Sequence, residues 1–293
     1  MKILAFFQLI RWKNLLIIFL MQLLVSGILL PKFELTDPFL HLNFWLISMS
    51  TICIAASGYI INDIYDIPID LINKKGKTIV SKIISIKTAK FLYILTTIVG
   101  LLLGIFASIN INKPPFILIF ILLSFLLFLY SYTFKSTPLL GNIIITFLVS
   151  SSLLIIGIFE LANISYHSLT ILFTYSLFAF ITNLLREIIK DIEDIEGDIC
   201  LGLNTLPILI GRQRTNNIVL IVCIAFTIAI VMVLFKVNEL EILTRIYGSL
   251  FIVLPTVYFI SKLYTSKTKK DYTKLSSLLK IIMLLGIGSI FTL

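Results

Sequence analysis

Charged residues are scarce in this sequence. They make up 13% of its 293 residues, whereas soluble domains carry about 25%. Together with a mean hydropathy of +1.07, this shortage leaves too few charges to cover a water-facing surface. The composition therefore excludes a soluble globular protein and predicts a polytopic membrane protein. The net charge of +9 does not indicate nucleic-acid binding, because lysine and arginine in membrane proteins set topology and contact the headgroups of membrane lipids.

Cysteine and histidine are also rare. The three cysteines (Cys53, Cys200 and Cys223) have no close partner in sequence, so neither a disulfide framework nor a zinc site is indicated. The two histidines, His41 and His167, each begin an apolar run and are predicted to lie at the membrane interface. The first apolar run has no small-residue cleavage site after a short core, so it predicts a retained helix rather than a signal peptide. No low-complexity linker divides the chain, and we expect a single membrane domain over residues 1–293.

Long apolar runs are abundant, and each is about the 20 residues that a membrane-spanning helix needs. Nine runs qualify: 13–30, 41–62, 89–109, 115–133, 139–160, 168–187, 215–235, 242–264 and 275–293. The last of them is interrupted by Lys280 and carries the weakest pattern. The predicted fold is an all-α bundle of nine transmembrane helices.

Lysine and arginine then orient the predicted helices. With the N-terminus in the cytoplasm, 20 of the 24 basic residues fall on the cytoplasmic side and 4 on the other. This asymmetry favours a cytoplasmic N-terminus and an external C-terminus. We expect an integral membrane protein of a bacterial-type plasma membrane, with a central cavity that opens to the cytoplasm.

An unusual group of polar residues ends the second apolar run. Asn62 is followed by Asp63, Asp66 and Asp70, which lie at i, i+3 and i+7 and would share one helix face. Three carboxylates on one face repel each other unless a cation lies among them. Carboxylate and amide oxygens suit Mg²⁺ or Ca²⁺, so this first motif predicts a divalent cation site.

A second motif repeats the spacing after the sixth apolar run. Asp191, Asp194 and Asp198 are again at i, i+3 and i+7, and each lies 128 residues after its counterpart. Each window alone reads equally well as a solvated helix end, whereas the matched pair favours the cation site. Six carboxylates around one cavity require cations, and Mg²⁺ held by a few carboxylates usually binds substrate phosphates as well. A diphosphate is the expected ligand.

Cationic and tyrosine side chains are available to hold that diphosphate. The segment after the first motif supplies Lys77, the end of the fourth run supplies Tyr130 and Lys135, and the second motif supplies Arg186 and Lys190. Each of these lysines has topology and headgroup contact as its alternative role.

These residues resemble the UbiA superfamily of intramembrane prenyltransferases. The first motif matches the family pattern N-D-x-x-D-x-x-x-D, and the second is similar to D-x-x-D-x-x-G-D, with Gly197 at the glycine. Arg11 and Asn14 resemble the ends of an N-terminal R-P-x-N, and the segment from Tyr130 through Lys135 to Asn142 resembles Y-S-x-x-x-K-x-x-P-x-x-G-N. The run around the second motif is most similar to the branch of geranylgeranylglyceryl phosphate geranylgeranyltransferases and chlorophyll synthases. That branch continues its first motif with N-x-P-x-R-P-I, where this chain has lysines and no proline.

The resemblance implies Mg²⁺-dependent transfer of a polyprenyl group, geranylgeranyl as the best guess, from its diphosphate to a lipophilic acceptor, best guess a prenylglycerol phosphate. It implies a set of metal ligands: Asn62, Asp63, Asp66, Asp70, Asp191, Asp194 and Asp198. Four of these, Asp66, Asp70, Asp194 and Asp198, are expected to be catalytic. It also implies a set of diphosphate-binding residues: Arg11, Asn14, Lys77, Tyr130, Lys135, Arg186 and Lys190. Where a base is needed, an acid of the second window is the expected one.

Three other readings stay open on the sequence alone. The first is transfer to an aromatic quinone precursor. The second is a cation-coupled transporter, because intramembrane acids often mark ion paths. The third is a non-enzymatic membrane scaffold, which leaves the two matched acidic windows unexplained.

Overall fold

The computed structural model describes residues 2–29, 42–68, 78–159, 166–200, 202–237 and 240–293. Within these ranges the chain is helical apart from turns and one isolated bridge between Val80 and Ile84. The helices in chain order are α1 (Lys2–Leu9), α2 (Trp12–Leu24), α3 (Leu42–Tyr65), α4 (Ile86–Asn110), α5 (Ile117–Tyr132), α6 (Leu140–Phe159), α7 (Tyr166–Cys200), α8 (Leu206–Ile210), α9 (Arg212–Lys236), α10 (Ile242–Thr265) and α11 (Lys269–Gly288). A π-helical turn extends α2 to Leu29, and another interrupts α10 at Ser249–Val253.

Nine helices in the described part of the chain are long and apolar enough to cross a membrane. They are α2 to α7 and α9 to α11, which confirms the predicted all-α membrane architecture. The final span, Lys269–Thr292, forms despite Lys280. The short helices α1 and α8 were not predicted.

The predicted end of the sixth span was wrong. That span was placed at 168–187, but α7 continues to Cys200 and carries the whole second motif. The physical reason is that the charged stretch is amphipathic. Ile188, Ile189 and Ile192 are buried at helical spacing and hold the extension against the protein.

Contacts between residues divide the chain into two compact units. The first unit comprises Met1–Lys135 with Ser151–Leu172, and the second comprises Ser136–Ser150 with Phe173–Leu293. The first motif lies in the first unit and the second motif in the second unit, so each is described within its own surroundings.

In the first unit, α3 packs closely against α4. Ser50 Oγ donates a hydrogen bond of 2.7 Å to the carbonyl oxygen of Gly100, and a Cβ on Gly100 would lie 2.8 Å from the side chain of Ile54. The two backbones can approach this closely because position 100 has no side chain. The contact fixes the helix that ends at the first motif.

The second unit has its core around the cytoplasm-predicted ends of α7, α9, α10 and α11. Its fully buried members include Ile189, Val219, Phe259, Tyr272 and Leu279. Because α7 contributes Leu185, Ile188, Ile189 and Ile192 to this cluster, the opposite side of the same turns is left to the motif carboxylates. The core thus determines which face of α7 carries the aspartates.

Candidate active site

The first motif lies where α3 ends. Asn62 and Asp63 occupy the last helical turn, and Asp66 follows in a turn with its backbone N–H bonded to the Asn62 carbonyl at 2.8 Å. Asp66 is 6% exposed, and its Oδ2 accepts a hydrogen bond of 2.7 Å from Asn62 Nδ2. The ammonium group of Lys135, from the turn after α5, contacts the same carboxylate oxygen. A buried carboxylate requires such a partner, because removing an unpaired charge from water is costly.

Arg11 neutralises the neighbouring acid of the first motif. Its guanidinium donates to Asp63 Oδ1 at 3.0 Å and lies 4.9 Å from the centre of the Tyr59 ring. The turn between α1 and α2, where Arg11 has a positive φ of 50°, aims the side chain at α3. Burial lowers the pKa of Arg11, but the charge of Asp63, aided by Tyr59 and Asp66, outweighs it and raises the pKa above its ordinary value. Arg11 therefore stays cationic beside the motif.

Three aromatic rings surround the end of α3. Tyr65, which directly precedes Asp66, lies 6.4 Å from Phe128 and 5.7 Å from Tyr132, measured between ring centres. Phe128 and Tyr132 stack at 5.9 Å. This cluster lies at the end of α3, because Tyr65 belongs to the last turn of that helix and directly precedes Asp66. Of the residues predicted here, Tyr130 is partly buried on the same helix as Phe128, and Asn14 lies in the first turns of α2.

Two predicted site residues, Asp70 and Lys77, lie outside the described residues. The first motif is therefore described by Asn62, Asp63 and Asp66 alone.

The second motif lies inside α7, where its three aspartates share one side of the helix. Asp191 Oδ2 accepts a hydrogen bond of 2.7 Å from Asn142 Nδ2, in the first turn of α6. Asp198 is buried at 7% exposure. Asp194 is more exposed, and its Oδ1 lies 3.1 Å from Nζ of Lys269 at the start of α11.

Arg186 and Lys190 both bond to one carboxylate. Glu187 Oε1 accepts from Arg186 Nη1 at 2.9 Å and from Lys190 Nζ at 2.8 Å. The two predicted diphosphate ligands are thereby held together, in the helical turn that leads into Asp191. Arg186 Nε is buried and has no hydrogen-bond partner among the described residues.

The donor atoms of the two motifs suit a divalent oxygen-loving cation. Within the described ranges, no three His, Cys, Asp or Glu side chains already converge as a metal cluster. Among the described residues, however, the buried side-chain oxygen Oδ1 of Asn62 has no hydrogen-bond partner. An amide oxygen of this kind is an ordinary ligand of Mg²⁺. Asp66 and Asp194 each hold a lysine ammonium, which supplies the positive charge that a metal would otherwise supply. The residues present therefore fit Mg²⁺.

Sequence reasoning did not place Asn142 or Lys269 among the site residues. Asn142 ended a family-like segment, which was a usable signal, but nothing indicated that its amide would meet Asp191. Lys269 lies 75 residues from Asp194, in a lysine-rich stretch that was attributed to topology.

Comparisons with known proteins agree with these features. A model of the UbiA prenyltransferase family matches residues 11–284. The digeranylgeranylglyceryl phosphate synthase of Methanobrevibacter smithii is 34% identical over 245 residues, which cover 79% of this chain and 80% of that one.

Solved structures show the same similarity. One, from work on digeranylgeranylglyceryl phosphate synthase in membranes, superposes with a TM-score of 0.70 at 27% identity and covers 100% of this chain and 99% of that one. A UbiA homologue from Archaeoglobus fulgidus, bound to GPP and Mg²⁺, has a TM-score of 0.62 at 19% identity, covering 98% of this chain and 99% of that one. At that identity the likeness concerns the fold.

Proposed function

Because the chain belongs to the UbiA prenyltransferase family, we propose that it transfers a geranylgeranyl group from geranylgeranyl diphosphate to a prenylglycerol phosphate. The observation that carries the proposal is the pair of acidic motifs with identical spacing, in each of which the middle aspartate is held by a lysine. The named relative, a digeranylgeranylglyceryl phosphate synthase, favours this acceptor over an aromatic ring.

The two motifs are proposed to act on one diphosphate as Mg²⁺ ligands. Their candidate ligands are Asn62, Asp63, Asp66, Asp70, Asp191, Asp194 and Asp198. Bound Mg²⁺ would neutralise the diphosphate and stabilise it as a leaving group. The matched spacing supports joint action, and the A. fulgidus homologue with GPP and Mg²⁺ supports the choice of ion.

The cationic residues are proposed to orient the diphosphate. Lys135 already lies against Asp66, and Arg11, Asn14, Lys77, Tyr130, Arg186 and Lys190 complete the predicted set. Arg186 and Lys190 reach the ligand as a pair because Glu187 holds both. These fixed charges act on the oxygens where negative charge accumulates as the leaving group departs.

In the transfer itself, the bond between prenyl C1 and the diphosphate oxygen breaks and a bond from C1 to the acceptor hydroxyl oxygen forms. The hydroxyl proton passes to an acid of the second window, so the products are a prenyl ether, diphosphate and one proton. The rings of Tyr65, Phe128 and Tyr132 are candidates for stabilising the allylic cation. The apolar helices exclude the water that would otherwise capture it.

The protein is an integral membrane protein with nine apolar helices in its described part. We propose a plasma-membrane location with the active site facing the cytoplasm, and a single functional domain over residues 1–293. The charge asymmetry of the sequence supports this orientation. The homologues are archaeal, so the bacterial-type membrane expected from the sequence stays a prediction.

Substrate turnover tests the proposed activity. Membranes containing the protein are incubated with radiolabelled geranylgeranyl diphosphate, Mg²⁺ and either geranylgeranylglyceryl phosphate or an aromatic acid. We expect a labelled prenyl ether lipid only with the glycerol phosphate acceptor, with stoichiometric diphosphate release that a chelator abolishes. Labelled product with the aromatic acceptor would replace this substrate assignment, and ion flux in proteoliposomes without any donor would favour a transporter.

The orientation is testable with a native thiol. Cys200 is exposed at the last residue of α7, whereas Cys53 and Cys223 lie in the interior of α3 and α9. A membrane-impermeant maleimide is expected to label inside-out vesicles and to spare right-side-out vesicles. Cys200→Ser is the control that assigns the signal, and labelling of right-side-out vesicles would reverse the topology.

A further inference from the structure

The two motifs share a lysine contact that their spacing alone does not predict. The middle aspartate of each motif, Asp66 in the first and Asp194 in the second, contacts a lysine from a distant segment. Lys135 fills this role at Asp66 and is a proposed diphosphate ligand. Lys269 fills it at Asp194, and no role in the reaction has been assigned to it so far.

Lys269 is presented by a rigid helix start rather than by a loose loop. Thr268 and Asp271 form a capping box, in which the Thr268 hydroxyl accepts from the Asp271 N–H and Asp271 Oδ2 accepts from the Thr268 N–H at 2.9 Å. One turn on, Tyr272 is 1% exposed, and its hydroxyl accepts a hydrogen bond of 2.8 Å from Asn216 Nδ2. These contacts fix the first turn of α11 against α9.

A second polar contact fixes the same turn against α7. Thr273 Oγ1 donates to Glu193 Oε1 at 2.8 Å, next to the lysine contact with Asp194. The position of the ammonium is therefore built by α7, α9 and α11 together. A cation is disfavoured at a helix N-terminus, so the lysine requires a neighbouring anion to offset the dipole.

The contact between Lys269 and Asp194 is suited to exchange. Their side chains are 55% and 45% exposed, and exposed ion pairs of this kind shift an equilibrium by a factor of about five at most. A cation bound at Asp194 would displace the ammonium, and the phosphate that accompanies the cation would be its nearest new partner. Lysine binds phosphate well as a compact point charge.

We propose that Lys269 is a phosphate-binding residue of the active site, which pairs with Asp194 in the metal-free protein and with a substrate phosphate in the loaded one. The proposal rests on the proposed prenyl transfer for the identity of that substrate. Both the donor diphosphate and the phosphate of the acceptor have the required chemistry, and the binding measurements below separate them.

Direct binding to the full-length protein tests the proposal without turnover. Mn²⁺ binding is followed by electron paramagnetic resonance, alone and with inorganic diphosphate or glycerol phosphate, for the wild type, Lys269→Gln and Lys269→Arg. The matched control is Lys270→Gln, which removes the same charge from an exposed residue of the same turn.

We expect Lys269→Gln to bind Mn²⁺ alone as tightly as the wild type or up to about fivefold more tightly, because a competing ammonium is gone. Affinity for the phosphate that Lys269 holds should fall about tenfold or more, with Lys270→Gln within about twofold and Lys269→Arg recovering most of the loss. If the affinity for diphosphate falls, Lys269 binds the donor. If the affinity for glycerol phosphate falls, Lys269 binds the acceptor. In turnover, the KM of that same substrate should rise while kcat changes by less than about threefold.

Two results would overturn the proposal. The first is equal phosphate affinity in Lys269→Gln and Lys270→Gln, which would show that Lys269 acts only as a general surface charge. The second is weaker Mn²⁺ binding by Lys269→Gln in the absence of phosphate, which would show that Lys269 supports the structure of the second motif and does not bind phosphate. If the wild type binds Mn²⁺ with diphosphate but transfers no prenyl group, the proposed function fails while the binding results still decide the role of Lys269.

Discussion

The two acidic motifs have the same spacing but different local structures. The first lies at a helix terminus, since α3 ends at Tyr65 and Pro68 follows, whereas the second lies within α7, which continues to Cys200. Proline lacks the N–H that a helix needs, and the second motif contains none. Identical spacing therefore does not impose an identical backbone conformation. A stripe of buried isoleucines extends α7, whereas a proline follows the end of α3.

The neutralising partners of the two motifs also differ. The first motif contacts two cations, Arg11 on Asp63 and Lys135 on Asp66. In the second motif, Asp191 accepts from the neutral amide of Asn142, and Lys269 meets Asp194 at a more exposed position. Asp191 therefore has a neutral partner, whereas Asp63 and Asp66 each have a cationic one. We expect Asp191 to depend more strongly on a bound cation than Asp63 or Asp66.

The largest effect should come from removing one charge from each motif. Asp66→Asn and Asp194→Asn keep the size of the side chain, and each should lower diphosphate release about a hundredfold or more, because each removes a proposed metal ligand. The rate of release from geranylgeranyl diphosphate is the measurement. Glu241→Gln, which changes an exposed acid outside both windows, is the control and should stay within about twofold. Full activity in both asparagine variants would remove the metal-site interpretation, and loss in only one would show that the motifs are not equivalent.

An intermediate effect should follow from removing the amide that orients Asp191. Asn142→Ala deletes the donor at 2.7 Å, and loss of such an outer partner typically weakens metal binding by about 10- to 100-fold. Mn²⁺ affinity is the measurement, with thermal stability recorded beside it. The control is Asn217→Ala, which makes the same change at an exposed position of α9. Unchanged Mn²⁺ affinity would mean that Asp191 binds metal without the hydrogen bond from Asn142.

The smallest effect should come from the proline that distinguishes the motifs. Pro68→Ala restores a backbone N–H after the end of α3, while Asn62, Asp63 and Asp66 keep their contacts on the N-terminal side. We therefore expect activity within about threefold of the wild type. A tenfold loss in initial rate would show that Pro68 is needed for the geometry of the first motif.

The membrane architecture was predictable because bilayer thickness dictates helix length. All nine runs predicted from apolar length correspond to spans, including the run that Lys280 interrupts. The end of α7 was not predictable from hydropathy, since Asp and Glu lower the average of a window whatever structure they adopt. The burial of Ile188, Ile189 and Ile192 shows that the charged segment continues α7, with these isoleucines on its buried face.

The site was predictable in its repeating part and not in its long-range part. The aspartates could be predicted as site residues because their spacing recurs after 128 residues. Asn142 and Lys269 meet their aspartates across 49 and 75 residues of chain. Such contacts depend on how helices pack, and no local pattern encodes them.

The lysine contacts with Asp66 and Asp194 also bear on the folded protein before it binds an ion. The two lysines lie 69 and 75 residues from their aspartates, so these contacts form only once the helices have packed. In the packed protein each ammonium offsets part of the repulsion among the motif carboxylates. We therefore expect the fold not to require a bound ion.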